Sequence, residues 1–317
     1  MKRIFRLEDI ADDDRGASAA IGNFDGVHLG HRAVLEAARS AAPGRPLAVV
    51  TFEPHPREVL LPDAAPFRLT SADAKAHRLE TLGVDLLFEL DFGTIRPMDH
   101  DSFAQDVLQT GLGLQHCTIG ADFRYGTGRA GDAETLRRSG EALGFGVTVA
   151  DLVGPKPGAP RVSSTSIRAA LSEGRPRDAA AMLGHWHRVE SDVLHGDKRG
   201  RDLGYPTANM ALTGLHLPRF GVYAARVDIR EGPHQTGPHR GAWHGAASLG
   251  VRPQFGENVP NLETFLFDFS GDLYGTRISV ALVEFLRPEA KFDSVEALIQ
   301  QMDADCAQAR AVLADLP

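Results

Sequence analysis

Near residue 185 the hydrophobic period of the chain changes, and no other feature constrains its fold as strongly. Ahead of that point, apolar runs of strand length, "SAAIGNF", "LAVVTF", "VDLLFEL", "HCTIGADF" and "GVTVADL", are separated by stretches of helical spacing. Those stretches are "GHRAVLEAARSAA", "SADAKAHRLETLG", "DSFAQDVLQTGL" and "DAETLRRSGEALG". Strand followed by helix, repeated, predicts an α/β domain with a parallel sheet covered on both faces. Beyond residue 185, "HRVESDVLHG", "GVYAARVDIR", "GAWHGAASLGV", "LETFLFDF" and "RISVALVEFL" succeed one another through Gly- and Pro-rich turns. With no helix between them, they predict a small antiparallel β-barrel or meander. "SVEALIQQMDADCAQARAVL" then closes the chain with apolar residues at helical spacing.

Two domains, 1–184 and 185–317, follow from that change, and 317 residues is an ordinary length for a pair. Two short helical patterns, broken by Gly174 and Pro176, precede the boundary. The stretch from Glu231 to Gly241, "EGPHQTGPHRG", reads as an exposed loop. A formal net charge of -8 counts against a general nucleic-acid binder. An acidic chain that handles phosphate must do so with local basic or backbone-donor sites. No apolar run approaches the roughly 20 residues needed to span a bilayer. The two cysteines, Cys117 and Cys306, lie far apart without metal-ligand spacing, which fits a reducing compartment. With no signal-peptide core after the first basic residues, a cytoplasmic protein without a membrane partner is expected.

"GNFDGVHLGH", Gly22 to His31, directly follows the first strand, where ligands bind in parallel sheets. Gly22 ends the strand, Gly26 permits a tight turn, and Gly30 allows close backbone approach as a helix begins. Free N–H groups at a helix start form an anion site. His28 and His31, at i and i+3, share a face of the first turn and can donate ring N–H bonds to phosphate, more strongly if protonated. The pair also fits half a zinc site, although no third ligand stands at a familiar spacing, or plain helix capping. "SSTSIR", Ser163 to Arg168, offers hydroxyls, a helix start and a guanidinium fork that suit a triphosphate; an N-cap with a solvent-facing Arg is the other reading. "GADFRYGTGRAGD" is a glycine-loosened loop with Asp122 and Arg124 at its start, either a ligand contact or a connector. In "TFEPHP", Pro54 and Pro56 fix an extended turn at a strand end.

In the second half, "GDKRGRDLGYPTANM" carries Gly196, Gly200 and Gly204 every four residues around Lys198, Arg199 and Arg201. This suits a flap bringing backbone donors and positive charge over phosphates, or a basic hairpin turn. It lacks the ending of a Walker A loop and no helix follows. In the strand-like "PTAN", Thr207 and Asn209 point to one side; their two neutral oxygens are of a kind magnesium accepts beside nucleotide phosphates, and by itself the stretch reads equally as a turn or a strand end. In "NLETFLFDF", a period of two puts Glu263 on one face with Phe265, Phe267 and Phe269. A carboxylate there is costly unless paired. It is either a salt-bridge partner or a partly desolvated base for a hydroxyl proton.

"GNFDGVHLGH" resembles the signature of the HxGH nucleotidyltransferases, which have a Rossmann-like fold. With "TFEPHP", "GADFRYGTGRAGD" and "VSSTSIR" it is similar to the adenylyltransferase half of bacterial bifunctional riboflavin kinase/FAD synthetases. The glycine-spaced loop, "PTAN", "GDLYG" and "LRPEAKFDS" continue the resemblance into the riboflavin kinase barrel, so it covers nearly the whole chain. It implies that His28 and His31 contact ATP phosphates, with Gly22, Asn23, Phe24, Asp25, Gly30, Ser164, Thr165 and Arg168 also on that nucleotide. It implies flavin contacts for Asp122 and Phe123. In the barrel it implies ATP contacts for Gly196, Lys198, Gly200, Arg201, Thr207 and Asn209, Mg²⁺ at Thr207 and Asn209, and Glu263 as general base for the ribityl 5'-hydroxyl. Riboflavin, FMN and ATP are then the small-molecule partners, with FMN and FAD as substrate and product, not redox cofactors. Gln254 stands where the family usually has Thr, and Phe265 where His is common. Two rivals remain at this point: a nucleotidyltransferase with a passive flavin-sensing barrel, and an RNA-binding barrel. The net acidity and the lack of an aromatic–basic stripe count against the second.

Overall fold

Strand–helix alternation in the first half becomes a parallel sheet of order β1-β4-β3-β2-β5-β6. Its strands are β1 (Lys2–Ile4), β2 (Ser18–Ile21), β3 (Leu47–Glu53), β4 (Leu86–Asp91), β5 (His116–Gly120) and β6 (Gly146–Ala150). The computed structural model describes residues 1–150, 162–195, 203–231, 241–254, 257–314 and 316, with backbone alone at 252–254 and 257–258. Successive strand residues serve opposite faces: Ala19, Val50 and Phe88 pack in one core, Ala20, Val49 and Leu87 in the other. Helices α1 (Leu29–Ala41) and α2 (Ala72–Thr81) cover the second core with Leu35, Ala38, Ala76 and Leu79. Helices α3 (Phe103–Gly111, wound in π-type turns) and α4 (Ala133–Leu143) cover the first with Phe103, Val107, Leu108 and Leu136. The order reverses between β2 and β5, and at such a switch point a crevice opens beyond the carboxyl ends of the strands. The Gly22–His28 turn leaves β2 there.

Contacts divide the chain into two compact units, Met1–Ala65 with Lys75–Val162, and Pro66–Ala74 with Ser163–Pro317. Helices α5 (Ser164–Ser172) and α6 (Pro176–Leu183) therefore group with the barrel, ahead of the change in hydrophobic period. The segment Pro66–Ala74 is held in the same unit by polar contacts. The Phe67 carbonyl accepts from Arg168 Nε at 2.6 Å, the Arg68 carbonyl from His216 N–H at 2.8 Å, and Asp73 pairs with Arg277 at 2.7 Å. No local pattern announces that excursion.

The second unit's sheet is antiparallel throughout, of order β7-β12-β9-β10-β11-β8. These are β7 (Arg188–Asp192), β8 (Thr207–Ala211), β9 (Gly221–Glu231), β10 (Ala242–Gln254), β11 (Glu257–Leu266) and β12 (Arg277–Arg287). The Leu194 N–H donates to the Asn209 carbonyl at 2.8 Å, so the sheet's two ends meet and the barrel nearly closes. Val189, Met210, Tyr223, Leu249, Leu262 and Leu282 fill its interior. Helix α7 (Val295–Ala314) packs Ala309 and Leu313 against Phe267 and Val283. Asp305 interrupts that apolar stripe; it is buried and takes the Arg287 guanidinium through both carboxylate oxygens at 2.7–3.0 Å. Among the described residues no helix is long and apolar enough to cross a membrane. The loop from Glu231 to Gly241 lies, apart from its ends, outside the described residues.

Candidate active sites

His28 is the N-cap of α1, and the capping is reciprocal. Its Nδ1 accepts the His31 N–H at 3.3 Å, while His31 Nδ1 accepts the His28 N–H at 3.3 Å. This is a capping box built from two imidazoles, so the capping reading of the motif holds. The rings stack at 3.6 Å with 12° between their planes. A ring that accepts at Nδ1 carries its proton on Nε2, so each presents a neutral N–H donor. Burial first, then the unfavourable placing of a positive charge beside His28 and beside the Lys75 ammonium, holds His31 well below the ordinary imidazole range. The first turn of α1 carries no acidic residue, and its Leu29 and Gly30 N–H groups lack intrahelical partners by position. Neutral ring donors, backbone donors and a helix N-terminus together suit a polyphosphate. A Cβ at Gly30 would sit 3.0 Å from His28 Cε1; the glycine thus makes room for the imidazole rather than for a second backbone.

The preceding turn is held in backbone conformations that side chains rarely adopt. Phe24 and Val27 have φ of 51° and 43°, and Gly26 has φ of 82°. Branched Val27 is especially disfavoured there. Both side chains are fully buried against Leu35 and Leu79, which anchors them. Asp25 is buried, whereas Asn23 is exposed. Sequence reasoning missed what lies beneath. Lys75, 3% exposed, donates to Glu53 Oε1 at 2.6 Å and to Thr51 Oγ1 at 3.2 Å, and Thr51 donates to the Asn23 carbonyl at 3.2 Å. The partners come from β3 and α2, and no spacing in the sequence connects them.

The other first-half motifs differ in detail from the expectation. Pro56 begins a short helix, Pro56–Leu60, instead of prolonging an extended turn. His55 caps it through the Arg57 N–H at 3.1 Å, and Glu58 returns a bond to His55 N–H at 3.1 Å. Pro at the first helical position and Glu two residues later were the readable signal. The stretch after β5 is a closed turn and not a loose connector: Tyr125 and Gly131 exchange both backbone bonds at 3.0–3.1 Å. Phe123 stacks on Tyr125 at 5.6 Å, Asp122 is exposed, and Arg124 approaches Asp132 at 3.4 Å. Asp122 and Phe123 follow the strand next to β2, at the same carboxyl end of the sheet. In "SSTSIR", Ser163 caps α5 through the Ser166 N–H at 3.1 Å, with Ser164 and Thr165 in the first turn. Arg168 is not solvent-facing; it lies over the Phe67 ring at 5.3 Å and donates to that residue's carbonyl.

In the second unit the register of two strands assembles the predicted residues. Asn209 stands directly opposite Glu263, and Thr207 opposite Phe265. Cross-strand partners share a face, here the one turned away from Ala208, Met210, Leu262 and Leu266 in the barrel interior. Asn261, two residues before Glu263, escaped the sequence reading. Its amide donates to Asn209 Oδ1 at 3.2 Å and reaches Glu263 Oε1 at 3.4 Å, joining the two groups. Asn209 in turn donates to the Thr207 carbonyl at 3.2 Å. The predicted aromatic face extends only to Phe265 and Phe267, whose rings meet edge-on at 5.8 Å. Phe269 leaves it: β11 ends at Leu266, Asp268 adopts φ of 58°, and Phe269 packs against Trp243 at 5.1 Å. Asp268 pairs with Arg310 at 2.8 Å. Gly196, Lys198, Arg199, Gly200 and Arg201 lie outside the described residues, as does the Gln254 side chain.

A FAD synthetase family model matches residues 10–166, and a riboflavin kinase model matches residues 183–313. A bifunctional riboflavin kinase/FMN adenylyltransferase of Pseudomonas fluorescens is 41% identical over 99% of this chain and 98% of its own length. The chain belongs to the bifunctional riboflavin kinase/FMN adenylyltransferase family. The Escherichia coli K12 member is 36% identical over 93% of this chain and 92% of its own. A crystal structure from Streptococcus pneumoniae, described as a macrolide-efflux protein, is 28% identical. It superposes with a TM-score of 0.80, covering 100% of this chain and 99% of that one. The family's order of domains, nucleotidyltransferase first and kinase second, is thus the order of the two sheets described above.

Proposed function

We propose that the chain makes FAD from riboflavin in two ATP-dependent transfers, one per domain, divided functionally near residues 184 and 185. In the barrel, the riboflavin 5'-hydroxyl attacks the γ-phosphorus of ATP, Glu263 takes the hydroxyl proton, and FMN and ADP result. In the parallel-sheet domain, an FMN phosphate oxygen attacks the α-phosphorus of a second ATP, the bond to the β-phosphate breaks, and FAD and pyrophosphate leave. His28 and His31 donate Nε2–H bonds to phosphate oxygens as charge moves onto them, and the α1 N-terminus adds backbone donors. Gly22 to Asp25 and Gly30 shape that cradle. Ser164, Thr165 and Arg168 are further nucleotide ligands on this reading, and Asp122 and Phe123 flavin ligands. For the kinase reaction, Gly196, Lys198, Gly200 and Arg201 are assigned to ATP by the family resemblance alone.

Thr207 and Asn209 are hard, neutral oxygen donors side by side on β8, a set that fits Mg²⁺ shared with nucleotide phosphates better than a metal held by protein alone. Magnesium bound there would neutralise phosphate charge. Among the described residues, no cluster of three or more His, Cys, Asp or Glu could hold a metal. Free Cys117 and Cys306 suit a cytoplasmic setting for both reactions.

The observation that carries the proposal is the pairing of two complete family matches on one chain with a donor cradle in the first and a carboxylate–amide constellation in the second. Incubating the protein with riboflavin, ATP and Mg²⁺ and resolving the flavins by chromatography tests it. FAD is the expected product. Conversion of supplied FMN alone would make the barrel a sensor, and no turnover of either flavin would overturn the reading.

A further inference from the structure

A lysine ammonium buried to 3% exposure needs a reason, because lysine is the cation that water hydrates most strongly. Lys75 is such a residue. Its bonds run to Glu53 Oε1 at 2.6 Å and Thr51 Oγ1 at 3.2 Å. Thr51 is fully buried and passes its own proton to the Asn23 carbonyl at 3.2 Å. Glu53, Lys75, Thr51 and Asn23 thus form one line of hydrogen bonds from the end of β3 and from α2 into the Asn23–Val27 turn. That turn holds Phe24 and Val27 at positive φ, conformations that persist only where the surroundings over-determine them. Buried side chains supply the apolar half of that restraint. The line from Lys75 is a polar half, attached to the backbone at the start of the turn, and the turn delivers His28 to the helix N-terminus.

We propose that Lys75 is a positioning residue of the adenylyl-transfer site, clamped by Glu53 and acting through Thr51 to hold the Asn23–Val27 turn and with it the stacked His28–His31 pair. The ammonium also lies close enough to His31 to disfavour a second positive charge there, which agrees with a neutral His31 donor. The inference rests on the proposed FMN adenylylation and adds to it a residue that touches neither nucleotide nor flavin.

The test uses the full chain, in which riboflavin phosphorylation by the barrel is an internal control. Lys75→Met keeps the stem and removes the charge, and Thr51→Val removes the hydroxyl that joins Lys75 to Asn23 while leaving the Lys75–Glu53 pair. Because Lys75→Met leaves Glu53 without its cation, Lys75→Met/Glu53→Gln provides a charge-balanced version if the single variant does not fold. For supplied FMN and ATP, kcat should fall about 10- to 100-fold in the lysine variants, as misplacement of reacting groups by a fraction of an ångström does. It should fall less in Thr51→Val, with KM for ATP changed little in all of them. At pH 7, ring ¹⁵N spectra of histidine-labelled protein should show His31 losing its Nε2–H tautomer in Lys75→Met, a change that simple loss of stability would not produce in the folded signal. Unchanged kcat and an unchanged His31 signal in the folded lysine variants, beside an active unmodified protein, would overturn the inference alone. An unmodified protein that does not adenylylate FMN would overturn the underlying reading together with it.

Discussion

On the proposed function the two sites face the same problem, gripping polyphosphate, and they are built on different backbone. The first hangs on a strained turn between a buried parallel strand and a helix N-terminus, and its donors are neutral rings and main-chain N–H groups. The second lies flat on the outer face of an antiparallel pair, where strand register alone sets Asn209 against Glu263 and Thr207 against Phe265. A turn can be undone by one Cβ or one lost tether, whereas a register held along β11 by both β8 and β10 resists any single substitution. The first site should therefore be sensitive to shape and the second to chemistry.

The sharpest contrast comes from Glu263→Gln, which keeps shape and removes the base. Riboflavin phosphorylation should fall about 10²- to 10⁴-fold while supplied FMN is still adenylylated, as separate assays on the two flavins would show. Loss of both activities in a folded variant would erase the distinction. Gly30→Ala probes the opposite case. The new methyl group would press on His28 Cε1 from 3.0 Å, and adenylylation should fall about tenfold. Alanine is the better helix former by about 1 kcal/mol, so the thermal midpoint should not drop with it. Asn261→Ala unties Asn209 from Glu263. An effect of about 1 kcal/mol, a five- to tenfold loss in kcat for riboflavin, is expected with adenylylation untouched.

The smallest effect concerns acid. Burial lowers His187, in the barrel unit, to about 4, whereas an unfolded histidine titrates near 6.5. As pH falls through that window the unfolded chain binds a proton that the folded one refuses. Stability contributed by the neutral ring is therefore complete above pH 6.5 and lost progressively toward pH 4. Urea unfolding at pH 7 and pH 5 should show the loss, and His187→Leu should reduce it. His31 has the same sign in the first unit, where burial also depresses it.

What was legible in the sequence divides along the same line. The period change gave both architectures, and "GNFDGVHLGH" was readable because every participant, from Gly22 to His31, lies within three turns of chain. Alternation put Thr207 and Asn209 on one face and marked Glu263 as a carboxylate in an apolar run, while their roles came from the family resemblance. Lys75 was not, since its partners Thr51 and Glu53 are more than twenty residues away on another element. Asn261 carries no signal of its own in the sequence, and its contacts exist only because β8 lies beside β11. β1, a three-residue strand, is too short for any period to show, and it is specified by its pairing with β4. Alternation misplaced Phe269 because Asp268 turns the chain through the left-handed region, which binary pattern does not encode. Residues 66–74 joined the barrel unit through carbonyls and an ion pair, contacts that leave no mark on hydropathy.

The central claim is that this one polypeptide holds two chemically separate phosphate sites. His28→Ala, supplied with riboflavin, ATP and Mg²⁺ and followed by flavin chromatography, addresses both sites in a single run. FMN should accumulate at the unmodified rate while FAD falls by about 10²- to 10³-fold, the usual loss for one oriented donor. FAD formed at the normal rate, or no FMN from a folded variant, would contradict it.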